Sequence, residues 1–265
     1  MAFREKIRGT AQNKQTNVVL ALDFPFEKLE NRQTLYKRAE KIINTISPHV
    51  CAVKFNHHLV LPLGVFNGIQ KLLERAHELE LPTIMDCKAN DIGDTNRVIA
   101  EYYFEAGFDA LIANPFVGWE EGLKPIFEIA KNQGRGVILL VYMSHKGACE
   151  GYGQRVIDAE SGLETTQYMV FARKALKWCA DGVVVGATYP EKIKEVHAVL
   201  QGKIPIYSPG IGVQGGEIES TLRAGAFYLI VGRAITLAEN PAEVAEKVKR
   251  LAWRCLTTSC HRAEV

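Results

Sequence analysis

The chain has 265 residues, 47% hydrophobic and 23% charged, and 32 Lys+Arg against 30 Asp+Glu leave a formal net charge of +2. That balance excludes a disordered, charge-rich polymer and lacks the basic excess of a dedicated nucleic-acid binder, so no nucleic-acid partner is expected. No run approaches the ~18 apolar residues of a membrane span, and the N-terminal MAFREKIRGTAQNKQTN lacks the apolar core of a signal peptide, so a soluble, cytoplasmic protein is expected.

Residues 1–17 read as an extension, either a helix over one end of the domain or a disordered lead-in. From residue 18 onward, short β-branched apolar runs alternate with amphipathic stretches of helical period. The run at 18–23 (VVLALD) precedes a helical stretch at 29–46, and 51–55 (CAVKF) precedes 66–79. Next come 83–88 (TIMDCK) with 97–106, 110–114 (ALIAN) with 122–132, and 136–144 (GVILLVYMS) with 163–179. The last three pairs are 182–188 (GVVVGAT) with 191–200, 204–208 (IPIYS) with 216–224, and 227–232 (FYLIVG) with 242–255.

Near-continuous apolar strands joined through helices imply a parallel sheet covered on both faces. Eight such units in about 250 residues predict a single-domain α/β fold, a (β/α)8 TIM barrel spanning 18–256, rather than an open doubly wound sheet. Residues 257–265 are left as a C-terminal tail. The six cysteines, Cys51, Cys87, Cys149, Cys179, Cys255 and Cys260, are expected to be free thiols, and Cys255, Cys260 and His261 to belong to a frayed end rather than a metal site.

Polar residues gather where the strands end. Asp23, Lys54, Asn56, Asp86, Lys88, Asn114, Ser144, His145, Ser208, Gly232 and Arg233 all stand at C-terminal strand ends, the face on which such barrels build their sites. Charges on apolar runs are costly to desolvate unless paired. In TIMDCKANDIGDT, strand alternation puts Asp86 and Lys88 on one face and Cys87 on the other, with Asp91 arriving from the turn. Lys54, Asp86, Lys88 and Asp91 are therefore expected to form an alternating row, each charge holding its neighbour ionised. Such a row suits chemistry in which charge develops on a substrate.

SPGIGVQGG at 208–216 and VGR at 231–233 follow the seventh and eighth runs, where these barrels recurrently bind phosphate. The glycines let backbone N–H groups approach an anion, Gln214 offers an amide donor and Arg233 a guanidinium. The glycine-rich loop has the composition of a mobile lid. The adjacent His57 and His58 point apart and are read as loop or interface residues, not as metal ligands.

LALD at 20–23, VKFN at 53–56, DCKANDIGDT at 86–95, MSHKG at 143–147, VVGATYPE at 184–191, SPGIGVQGG and VGR together resemble the orotidine 5′-phosphate decarboxylase family. DxKxxDIxxT is the specific element, because sister families acting on sugar phosphates share DxKxxD but usually lack the Ile and Thr. The resemblance implies a cofactor- and metal-independent decarboxylation of orotidine 5′-phosphate to UMP. It implies that Lys88 protonates C6, Asp86 faces the departing carboxylate, and Lys54 completes the charged row and contacts the ribose. Asp23 is implied to bind a ribose hydroxyl, Ser144 the pyrimidine, and Pro209, Gln214, Gly232 and Arg233 to line the phosphate end. Asp91 and Thr95 are implied to reach a neighbouring subunit's site, hence a homodimer. The alternatives are a metal-dependent sugar-phosphate decarboxylase or aldolase and a non-catalytic nucleotide-binding barrel. The length is expected to leave no room for a fused phosphoribosyltransferase.

Overall fold

The computed structural model describes residues 2–25, 31–212 and 215–260. The eight apolar runs form the parallel strands β1 (Val18–Leu22), β2 (Ala52–Phe55), β3 (Thr83–Ala89), β4 (Ala110–Ala113) and β5 (Gly136–Tyr142), then, after a separate hairpin, β8 (Gly182–Val185), β9 (Ile206–Pro209) and β10 (Tyr228–Val231). They close into a ring in the order β1-β10-β9-β8-β5-β4-β3-β2. β1, β2, β4, β5, β8 and β10 are buried at every position, as a sheet with side chains inside and helices outside requires.

The outer helices are α2 (Arg32–Ile46), α3 (His57–Leu63), α4 (Gln70–Glu78), α5 (Gly93–Glu105), α6 (Lys124–Asn132), the short α7 (Ala148–Gly151), α8 (Gln167–Lys177), α9 (Pro190–Leu200), α10 (Gly215–Arg223), the short α11 (Arg233–Thr236) and α12 (Pro241–Cys260). Their starts follow local chemistry. Asn31 and Asn56 cap α2 and α3 by accepting the N–H of Thr34 (2.8 Å) and His58 (3.0 Å). No helix among the described residues is long and apolar enough to cross a membrane.

Three segments depart from expectation. The stretch predicted as helix from 163 instead begins with β7 (Glu164–Thr166), which pairs antiparallel with β6 (Arg155–Ile157) before α8 starts at Gln167. Two consecutive threonines favour the extended strand there. His57 and His58 lie not in a loop but at the start of α3, and a widened turn at Gly64–Ile69 separates that helix from α4. Pro62 and the positive φ of Gly64 (73°) break the regular helical path. The helix expected to stop at 255 runs to Cys260, so the start of the anticipated tail is helical.

The N-terminal extension takes the first of its two expected forms: it is α1 (Phe3–Lys14), a helix with Phe3, Ile7 and Ala11 buried at the end of the barrel where the strands begin. Their four-residue spacing makes one helical face. Asp109, at the start of β4, fastens it: Lys6 Nζ donates to Oδ1 at 2.7 Å, Arg135 donates to the same oxygen at 3.2 Å, and the Thr83 N–H donates to Oδ2 at 2.8 Å. His77 Nε2 lies 2.9 Å from Oδ2. Burial pushes the Asp109 carboxyl up, but these partners outweigh it and hold it well below the usual range. A cavity of about 430 Å³ remains beside α1, lined by Arg4, Arg8, Tyr207 and Phe227. It lies at the end of the barrel opposite the polar strand ends.

Candidate active site

At the C-terminal mouth, β2 carries Lys54 and β3 carries Asp86, with 6% and 9% of their surfaces exposed. Lys54 Nζ donates to Asp86 Oδ2 at 2.6 Å and Lys88 Nζ donates to Oδ1 at 2.6 Å. Burial alone would raise the Asp86 carboxyl, yet the two ammonium charges and their hydrogen bonds overcome it and hold it down at about 2. Both carboxylate oxygens are thus engaged by fixed cations. A buried ion cluster of this kind adds little net stability after desolvation, so its value lies in preorganised charge.

Lys88 reaches this place by an irregular route. The register of β3 against β4 shifts between Met85 and Ala89, and Lys88 itself has φ 52°, left-handed backbone that a non-glycine residue adopts at a cost of about 1–2 kcal/mol. Asp86 and Lys88 share one cleft as expected, but through a bulge rather than through plain strand alternation. Cys87 is turned aside, its Sγ against the Ile112 carbonyl.

Two cavities meet above these groups. One, about 140 Å³, has Lys54, Asp86, Lys88 and Ser144 on one side and Ile112, Leu140, Met143 and Val184 as an apolar wall. The other, about 330 Å³, is lined by Asp23, Gly210, Gly212, Gly232 and Arg233. Lys54, Pro209 and Ile230 line both. Ser144 fits because Gly186 is bare: a Cβ there would stand 2.6 Å from the Ser144 Cα. Gly232 likewise lies against the Asp23 carboxylate with no room for a side chain.

Asp23 Oδ1 is buried and has no hydrogen-bond partner in the protein. Burial raises this carboxyl, against the opposing charges of Lys54 and Arg233. A buried acceptor without a partner marks a place for a donor from outside the chain, such as a hydroxyl.

The expected row ends at Lys88. Asp91 is exposed, makes no ion pair among the described residues, and its Oδ1 accepts the Ile92 N–H at 2.8 Å. α5 begins two residues after Asp91, and Thr95 in its first turn is exposed as well. Gln214 lies outside the described residues. No group of three or more His, Cys, Asp or Glu side chains among the described residues is arranged to hold a metal.

A sequence profile described as "Orotidine 5′-phosphate decarboxylase / HUMPS family" matches residues 16–248. The chain belongs to this family. The orotidine 5′-phosphate decarboxylase of Methanosarcina barkeri is 37% identical over 235 residues, 89% of this chain and 94% of that protein. The crystal structure of the Pyrococcus horikoshii OT3 decarboxylase superposes with a TM-score of 0.72 at 34% identity, covering 89% of this chain and 98% of that one. The Methanocaldococcus jannaschii enzyme, crystallised with the inhibitor BMP, gives 0.72 at 32% identity with the same coverage.

Within this family match the residues missed by inspection of the sequence are of two kinds. Ile112, Leu140, Met143 and Val184 build the apolar wall, and only their position near the ends of apolar runs could have marked them. Asn96 and Asn90, which tie the loop after β3 to a neighbouring turn, carry no sequence signal beyond being asparagines beside a turn.

Proposed function

We propose that the chain converts orotidine 5′-phosphate to UMP and CO₂ without a metal or an organic cofactor. The observation that carries this reading is the Asp86 carboxylate held between Lys54 and Lys88 at 2.6 Å each, at the floor of a small cleft walled by apolar side chains. The C6 carboxylate of the substrate would lie against Asp86. Breaking the C6–CO₂ bond leaves the electron pair at C6, where the Lys88 ammonium stabilises it and then delivers its proton. Fixed charges need no reorganisation when the carbanion forms, and losing one such group typically costs ~10²–10³ in rate.

The adjoining cavity fits the ribose phosphate. Asp23 offers its unpartnered oxygen to a ribose hydroxyl, while Arg233 and the bare backbone at Gly210, Gly212 and Gly232 suit phosphate oxygens. Gln214, which lies outside the described residues, belongs to the same reading as an amide donor to the phosphate. Ser144 would contact the pyrimidine.

The same reading takes the chain as a cytoplasmic homodimer in which Asp91 and Thr95 complete the partner's site. Ile92 (64% exposed), Val98 and Tyr102 (55%) lie along α5 on the side that displays Asp91 and Thr95, and Phe66 packs edge-on to Tyr102 at 5.9 Å. Exposed apolar side chains gathered in this way are a surface for a second protein copy.

Incubating the purified protein with orotidine 5′-phosphate in EDTA, and following loss of the orotate chromophore, tests the activity. Turnover is expected. Its absence, or its appearance only with added magnesium, would overturn the assignment. Lys88→Ala is expected to abolish turnover while UMP still binds.

A further inference from the structure

Asn96 is wholly buried at the start of α5 and spends its amide on backbone alone. Its Nδ2 donates to the carbonyl of Asp91 and, at 3.0 Å, to that of Gly122; its Oδ1 accepts the Asp91 N–H at 3.3 Å. One side chain therefore holds both backbone groups of Asp91. A two-point grip fixes the rotation of that residue's backbone, and with it the direction in which the carboxylate leaves the surface. Only an amide side chain of this size supplies two donors and an acceptor from one position.

The second anchor, Gly122, belongs to an irregular turn in which Glu121 has φ 52°. Gly93 lies so close to this turn that a Cβ on it would stand 3.2 Å from the Glu121 carbonyl oxygen. Asn90 adds a parallel tie by accepting the Val117 N–H at 3.0 Å. The loop 90–96 and the turn 117–122 are thus joined through two asparagines. None of the hydrogen bonds of Asn96 goes to Lys54, Asp86 or Lys88.

We propose that Asn96 is a positioning residue that acts in trans: by fixing Asp91 it orders the site of the neighbouring subunit rather than that of its own barrel. The proposal rests on the shared-site reading given above. A buried asparagine that merely fills space would be needed in its own chain, whatever the partner carries. A trans-acting one is complemented by a partner whose own loop is intact, even when that partner lacks the reactive lysine.

Two differently tagged full-length chains, one Asn96→Asp and one Lys88→Ala, are co-expressed and purified through both tags, then assayed with orotidine 5′-phosphate. Asn96→Asp keeps the size and the acceptor but removes both donors. As a homodimer it is expected to lose about 10- to 100-fold in kcat, the scale of a displacement near 1 Å at a reacting centre. Lys88→Ala alone is expected to be inactive. The heterodimer joins an intact Lys88 to an intact Asp91 loop at one of its two sites, so about half the wild-type rate per dimer returns.

Asp91→Ala paired with Lys88→Ala is the control. If that pair recovers and the Asn96→Asp pair does not, Asn96 serves its own chain and the proposal is overturned. If the control fails too, the shared-site reading is at fault and the proposal falls with it. Full activity of the Asn96→Asp homodimer also overturns it. Should Asn96→Asp not fold, Asn90→Ala replaces it. That exposed residue gives up one hydrogen bond, and a several-fold loss restored in the same heterodimer is the expected result, whereas no loss or no restoration overturns the proposal.

Discussion

Lys54 and Asp86 meet at 2.6 Å although the ladder between β2 and β3 sets Lys54 beside Ile84. The lysine stem runs along the barrel wall toward the mouth and spans the two-residue offset. Its ammonium thus comes to rest at the depth of the cleft, not at the depth of its own Cα.

Replacing that ammonium by an apolar stem of similar length tests what the contact does. Lys54→Met leaves Asp86 with Lys88 as its single cation, so the carboxyl should titrate above its present value of about 2. Turnover of orotidine 5′-phosphate is expected to fall by ~10²–10³, read in single-turnover kinetics, with the fold retained by circular dichroism. A loss of less than about tenfold would place the charge of Lys54 outside the chemistry.

Acid should expose the same cluster. The folded Asp86 carboxyl is depressed from 3.8 to about 2, so its stabilising effect is complete above pH ~4 and is lost as the pH falls toward 2. Wild-type stability in urea should therefore drop more steeply between pH 5 and pH 2.5 than that of Asp86→Asn, by on the order of 2 kcal/mol. Asp109 is depressed as well and contributes its own slope to both proteins. Parallel curves would show that Asp86 carries no such linkage.

At the opposite end, Asp109→Asn removes the charge that Lys6 and Arg135 share. Hydrogen bonds to charged groups are worth about 1.5–3 kcal/mol each, so a loss of roughly 2–4 kcal/mol is expected in chemical denaturation. Amide exchange should rise first in α1. Activity at 25 °C should stay within about twofold, since this end holds none of the proposed chemistry.

Gly232→Ala and Arg233→Ala separate two ways of weakening nucleotide binding. The added methyl collides with the Asp23 carboxylate and should disturb the ribose contact, whereas loss of the guanidinium should act on phosphate alone. Calorimetry with UMP and with uridine reads the difference. Gly232→Ala should weaken both ligands by roughly tenfold, and Arg233→Ala only UMP. Equal effects on the two ligands from both variants would contradict the division.

The ring of eight strands and the charged mouth were legible because apolar period and charges on apolar runs are local signals. Lys54, Asp86 and Lys88 could be placed together from residue type and strand position alone. The bulge that carries Lys88 was not, since nothing in TIMDCKAND announces a register shift that depends on pairing with β4. Asp91 was placed in its own cluster because a turn's direction is set by what grips it, here the distant Gly122. β7 was absorbed into the helix expected from 163, and β6 went unmarked in the gap before it, because three-residue strands are too short to show a period. α1 could be foreseen only as one of two options, since its partner Asp109 lies far along the chain.

The ring closes between its first and last strands, β1 and β10, through Val18 to Leu20 and their partners Leu229 to Val231. Asp23 follows the first of these strands and Gly232 and Arg233 follow the second. The cavity proposed for the ribose phosphate therefore straddles the seam between the first and last strands. A nucleotide seated there would act as a clasp, resisting any opening that peels the C-terminal strand from the N-terminal one. Saturating ligand should accordingly slow proteolysis that starts from strand separation at this seam, and truncation ahead of Tyr228 would remove the anion site together with barrel closure.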